Sequence, residues 1–592
     1  VGKKISREKD SISCESIQQR LQTSLANGSV NFITELLAIE HMLPYQDKNF
    51  IDSTTSFLNE KNLDLFQFTT QAIILGQDVF RVAHIVVQIF PRLIKIDPIS
   101  LLEFLKVYDE KTKNDLMSGQ LFEPIRKRSS INIDWALSLE KSILENLDKR
   151  FYTYLLSLYL GLSDSDFNFG YSKIKIAYTS QAKELKAIGL RGIGLLVNLP
   201  DEVKRESVNA LILNANDNDE AVAVNAAFSL SRLHEEDSAL NDKRIELSKN
   251  SPPAVRFEIL RQIQFKQGQL SSTDIEIIKN LCTYDLNLKG ITDSLDSIVY
   301  FLVTKGQTDI AREILTTWVS SHSLEEHQQY NFSEQFDSSI FEILRNKDLI
   351  NMIVTEWFNA DDFRYHHVLQ EIISYMGVHG VKSLRFNLDI LKTFDDIDFL
   401  YIVRKVLGFT HDFDLSISLI LSILDYNLIS KKIARIVSSV LIEHIGENYL
   451  AKTLDRLNLE IKNTTSNTEK YNALNVAIIE LQKRSEQRSA LSDCVELRPN
   501  ADHQAELNKA FQKSMAVSMR EAQKKSVFQS LLTHVAIKSG LSTFSFFNGE
   551  YREPTKMGSF SHGVELPKKD VLDEVGASFE RSGFRLAKRG ES

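Results

Sequence analysis

Apolar residues recur at intervals of three and four along most of this chain, so that successive segments carry one apolar stripe and one polar face. That is the period of an amphipathic helix, not the alternation of a half-buried strand. The pattern is clearest where one phrase is written three times, as Leu185-Lys-Ala-Ile-Gly-Leu-Arg-Gly-Ile193, Val222-Ala-Val-Asn-Ala-Ala-Phe-Ser-Leu230 and Val255-Arg-Phe-Glu-Ile-Leu-Arg-Gln-Ile263. The starts lie about 37 and about 33 residues apart, the spacing of a two-helix unit that leaves its stripe uncovered unless it stacks on neighbours. The same period predicts helices over Val30–Met42, Val79–Phe90 and Ile133–Leu147. It also predicts a less regularly spaced series over Ile291–Val303, Ile310–Val319, Phe341–Arg345, Val368–Tyr375, Phe399–Phe409, Ile417–Leu424 and Ile433–Ile445.

Punctuation residues agree with these elements. Asp97-Pro98 precedes an apolar run, Pro200-Asp201 opens a helix, and Ser251-Pro-Pro253 ends one helix and begins the next, because proline fits the first turn and breaks an interior. A polar break at Asn463–Glu469 is followed by a long charged helix over Lys470–Arg488 and another over Ala505–Ser526, the latter carrying Lys509, Lys513, Arg520, Lys524 and Lys525. Composition changes after Ser526. There Ser542–Phe547 and Glu550–Arg552 flank Asn548-Gly549, a signal for a tight hairpin because both turn residues tolerate positive φ. The expected division is a polar segment over 1–12, an α-solenoid over 13–462, charged helices over 463–525, and a small C-terminal α+β cap or docking region over 526–592. The fold class expected is all-α, an α-α superhelix with that hairpin-containing region at one end.

Composition narrows the class. Among 592 residues, 23 Gly and 10 Pro against 43% apolar residues leave too few turn formers for an all-β chain. A formal net charge of −9 is not the electrostatic footprint of a general nucleic-acid binder. Cys14, Cys282 and Cys494 stand far apart, which gives no disulfide framework and fits a reducing compartment. The charged opening Gly2–Asp10 carries no secretory signal, and the longest apolar runs stop at Asp78 and Asp425, too soon to span a bilayer. A cytoplasmic protein without membrane insertion is expected.

The three central phrases resemble HEAT repeats, a family of armadillo-type helical repeats. Asn216-Asp-Asn-Asp-Glu-Ala-Val222 with Ala226, Ala227, Leu230 and Leu233 fits that family's second helix, and Ser251-Pro-Pro-Ala-Val255-Arg256 fits its opening. The chain departs from the pattern at Ala223, where an arginine is usual, and in placing Gly189, Gly192 and Gly194 within its first phrase. The resemblance, clearest over 184–263, implies a scaffold or adaptor that binds proteins as a subunit of a multiprotein assembly. In a minority of such arrays a basic concave face holds nucleic acid.

Candidate contact residues for either kind of partner are Arg191 and Arg256 in the array, Phe546, Tyr551 and Arg552 at the hairpin, and Arg581, Arg585, Lys588 and Arg589 near the end of the sequence. Aromatics beside cations can stack bases on a neutralised backbone or anchor in a protein, so a nucleic-acid-binding solenoid is the alternative reading. Catalytic patterns are sparse: there is no phosphate-binding glycine loop, no His-Glu-x-x-His and no paired Cys-x-x-Cys. His367 and Glu371 lie one helical turn apart, and Thr410-His411-Asp-Phe-Asp414 has acid–base residue types without a partner. Ser561-His562-Gly563 near Glu565 is the most enzyme-like cluster, too isolated to define an active site. No enzyme activity, cofactor or metal is expected.

Overall fold

The structure is a computed structural model. It describes residues 13–491 apart from short gaps at 44–46, 113–115, 147, 234–237, 287, 427 and 467, parts of 502–513, the pairs 546–547 and 550–551, and residues 567–590. It is all-α: helices of ordinary length follow one another from Cys14 to Ser489. By contacts the chain divides into two compact units, Val1–Leu349 and Ile350–Ser592. The sequence does not mark that division, which falls within the continuous helix Lys347–Asn359.

Helix starts are set by short polar side chains. Asp47, Asp64, Asp78, Asn132, Asp166 and Asp219 each accept a hydrogen bond from a backbone N–H in the first turn of the helix they precede, satisfying donors that have no intrahelical partner. Within the first unit the three repeated phrases are the helices Lys183–Ile193, Glu220–Arg232 and Pro253–Gln264. Each packs on the next phrase in space, with Asp201–Asn214 and Ser238–Asn250 between them in sequence. Leu190, Ile193, Val222, Ala226, Ala227, Leu230, Val255, Ile259 and Ile263 fill the space between these layers.

The two departures from the repeat pattern have local causes. Ala223 is buried, 1% exposed. Gly189 lies against the preceding helix so closely that a Cβ there would fall 2.3 Å from the backbone nitrogen of Tyr178, and only a residue without a side chain permits that approach.

One buried charged group in the first unit is closely paired. Asp274 accepts from Arg244 at 2.8 Å and Lys266 at 2.6 Å while capping its own helix with Ser271. Arg244 and Asp274 are both fully buried. Burial alone would push the Asp274 carboxyl up, but Lys266, Arg244 and the Ser271 N–H together hold it down to about 2.

In the second unit the helices Phe363–Val378, Asp396–Phe409, Phe413–Leu424, Lys431–Val440, Leu450–Lys462 and Glu469–Ser489 follow in order. Trp357, Phe358, Ile402, Leu419, Ile420, Leu441, Leu457, Leu474 and Leu481 form its core. The helix beginning at Lys431 runs on through a π-turn, Leu441–Ile445, into Gly446–Asn448, a local widening that is common at functional sites.

The expected C-terminal β-hairpin is not supported as an element of the fold. Phe546–Phe547 pair antiparallel with Glu550–Tyr551, but a two-residue ladder is too short to stand as a hairpin element. The other described residues of that region form the helices Lys568–Leu572 and Glu574–Leu586.

Replacing Asp274 by alanine is expected to destabilise the first unit by about 3–5 kcal/mol, because it leaves Arg244 charged and buried without its partner. The depressed Asp274 value also means that its contribution is present above the ordinary carboxylate range and is lost as pH falls toward 2. Urea unfolding of the variant, and of the unaltered chain as a function of pH, checks both.

Candidate docking groove

The residues 567–590 return to the second unit and lie along the helix Asp396–Phe409. The approach is set by Gly408, where a Cβ would stand 2.9 Å from the backbone nitrogen of Arg585, so any side chain at 408 collides with the docked segment. Two helix C-termini therefore meet, and each supplies a cation to the other's last carbonyls. Lys405, 3% exposed, donates to the carbonyls of Arg585 at 2.6 Å and Ala587 at 2.8 Å. In return Arg585 Nε donates to the Gly408 carbonyl at 2.6 Å. Unsatisfied carbonyls and the negative end of the helix dipole favour a cation at this place.

Four residues on, Arg589 is held by Asp398, by the Asn359 carbonyl, and by Asp361 at 3.3 Å. Its guanidinium lies over the Tyr401 ring at 4.7 Å, and that of Arg585 over Phe409 at 5.3 Å, both within cation–π range. Toward the start of the segment, the Lys569 N–H donates to Asn448 Oδ1 at 2.9 Å, and His444 Nδ1 stands 3.0 Å from Glu580. The π-turn places His444 one turn before Asn448, so both face the segment. Lys569 pairs with Glu580, and Arg581 with Asp570, within the segment itself.

The docked helix has an unusual orientation. Ala577 is its one buried residue, whereas Val575, Phe579 and Leu586 are 81%, 82% and 72% exposed. The contact thus rests on charge-assisted hydrogen bonds more than on apolar burial.

Two histidines at this contact hold their protons less tightly than usual. Burial and the facing Arg585 and Arg581 hold His411 below its ordinary value, with Asp570 opposing. Its Nε2 lies 3.2 Å from Arg585 Nη2 and 3.3 Å from Gln370 Nε2. Arg585 can only donate, so Nε2 must accept and the ring is neutral. Burial likewise lowers His444, with Lys569 acting the same way and Glu580 and Glu443 opposing. Beneath the segment, His366 is 1% exposed among Phe358, Phe363, Tyr401 and Phe409. Burial, with Lys405 nearby, holds it down to about 4.

Of the residues singled out in sequence, the groove brings together Arg581, Arg585 and Arg589 on the docked side and His411 on the receiving side. Lys588 is on the same segment and exposed. Arg191 and Arg256 lie elsewhere, in the first unit. Arg191 stacks on Phe228 at 4.0 Å and donates to Asn225, while Arg256 donates to the Lys249 carbonyl and lies over Tyr284. Side chains at Phe546 and Tyr551, and residues Arg552 and Ser561 to Glu565 with His562, lie outside what the structure describes. His367 and Glu371 share the helix Phe363–Val378. Among the described residues there is no cluster of three or more His, Cys, Asp or Glu able to hold a metal, and no helix long and apolar enough to cross a membrane. Lys405, Gly408, Asp361 and Asp398 were not legible as site residues. An acid or lysine on an amphipathic helix is ordinary until its partner, about 180 residues away, is known.

No family model matches the chain, and no curated protein matches it. Among solved structures it is similar to a crystal structure of an engineered protein at 10% identity and a TM-score of 0.17, covering 79% of this chain and 98% of that one.

Acidification is expected to release the docked segment. A histidine whose value is depressed in the docked state favours docking above its ordinary value near 6.5, and that contribution is lost as pH falls through the depressed value. With a fluorophore at the C-terminus, the anisotropy should be high at pH 7.5 and fall by pH 5. His411→Gln should flatten the response.

Proposed function

We propose that this chain is a non-catalytic α-helical scaffold, a HEAT-like solenoid, that binds partner proteins as a subunit of a multiprotein assembly. The observation that carries this reading is the groove on Asp396–Phe409. It holds a helix by its terminal carbonyls through Lys405, and by two arginines through Gly408, Asp361 and Asp398. That is recognition of a protein backbone and its side chains.

The nucleic-acid reading draws on the same basic residues, and their geometry favours it less. Arg581, Arg585 and Arg589 are engaged by carboxylates and carbonyls of the chain itself, so phosphate would have to displace those partners. Recovery of the tagged full chain from native lysate, with and without nuclease, separates the two. The scaffold reading expects protein partners that survive nuclease. Partners that vanish with nuclease would favour nucleic acid.

A further inference from the structure

Three properties of the groove are those of a receptor with an exchangeable occupant. First, it is shaped for a helix end. Lys405 stands where carbonyls of a terminating helix arrive, Gly408 clears the path of the incoming backbone, and Asp361 with Asp398 collect an arginine four residues farther on. Second, the present occupant buries little apolar surface: Ala577 and the half-buried Phe584, which packs edge-on to His444, while Val575, Phe579 and Leu586 of the same helix are exposed. Contacts made of charge in partial solvent are individually modest and weakened by salt. Third, the occupant leaves space. A cavity of about 460 Å³ lies between Phe363, His366, Tyr401 and Lys405 on one side and Arg585 to Arg589 on the other, beside a position where the segment carries only Ala587.

Resting on the scaffold reading above, we infer that this groove is a docking site for a partner protein's helix ending in Phe-Arg or a close equivalent, with a second arginine four residues later. Residues 567–590 are its resident, displaceable occupant. The partner's segment carries a larger apolar side chain where this chain has Ala587, and so fills the cavity above Phe363, His366 and Tyr401. A second copy of this chain is a poorer occupant. It brings the identical contacts, and must compete with a segment of the same chain already seated in the groove.

The test uses the full chain and a fluorescein-labelled synthetic peptide of residues 567–592, read by anisotropy at pH 7.5. The unaltered chain, its groove filled, is expected to bind the peptide weakly. The full chain carrying Arg585→Ala and Arg589→Ala, which empties the groove without touching it, is expected to bind at least tenfold tighter, and adding Gly408→Leu to that chain should abolish binding. A peptide with Ala587→Leu should bind at least threefold tighter than the unaltered peptide. Circular dichroism confirms that each chain variant keeps its helices, and a peptide with both arginines replaced by alanine is the control for non-specific binding.

Equal binding by the unaltered and double-variant chains, with helicity kept, would overturn the inference. So would binding that survives Gly408→Leu or loss of the peptide's arginines. No gain from Ala587→Leu would overturn the assignment of the cavity to the partner. If light scattering shows the unaltered chain as a dimer that the peptide splits, the occupant is a second copy and the assignment to another protein falls. Failure here alongside nuclease-resistant partners in the lysate experiment removes the groove and leaves the scaffold; failure of both removes both.

Discussion

An amphipathic helix in water has one face it cannot leave exposed, and most of the architecture follows from that constraint. No helix in the series from Cys14 to Ser489 is covered by itself, so each must find its stripe a neighbour. In the first unit the central helices do so by packing on the helix next but one in sequence, with buried Leu, Ile, Val and Ala between them. Side chains trimmed to alanine at 223 and to nothing at Gly189 show how tightly the layers close. The buried Arg244–Asp274–Lys266 group adds little net attraction for its cost in desolvation, but once present it penalises the loss of any member.

The segment 567–590 is held by different physics. Where the stacked helices are joined by apolar surface, this one is joined by two cations exchanged between helix ends and by an arginine between carboxylates. Apolar stacking is insensitive to pH and salt, whereas this contact includes a histidine that must stay neutral to accept from Arg585. The same chain therefore combines apolar helix stacking with an attachment held mainly by charge.

Much of the helical framework was legible because it is local. A stripe at the helical period, an aspartate before it and a proline at a boundary are all contained in about fifteen residues, and Val30–Met42, Pro253 and Lys470–Arg488 fall where the pattern places them. The hairpin expectation came from an equally local signal at Asn548-Gly549, but a turn sequence specifies a turn and not the strands to extend it. The groove was not legible as a site. His411 was noticed for its acid–base chemistry and Arg585 for its charge, yet nothing in either neighbourhood says that one faces the other across more than 170 residues. Nor does the sequence distinguish Gly408 from any other glycine in a helix; its role exists only once a second backbone lies against it.

The docked helix Glu574–Leu586 provides the most direct test, because an isolated helix of 13 residues is at best marginal in water. Hydrogen exchange of its amides in the unaltered chain, compared with the Gly408→Leu chain, reads docking without reference to any partner. Amides from Ala577 to Leu586 that exchange at least tenfold more slowly in the unaltered chain than in the variant are the result this account predicts. Amides that exchange as fast as an unstructured peptide in both chains would contradict it.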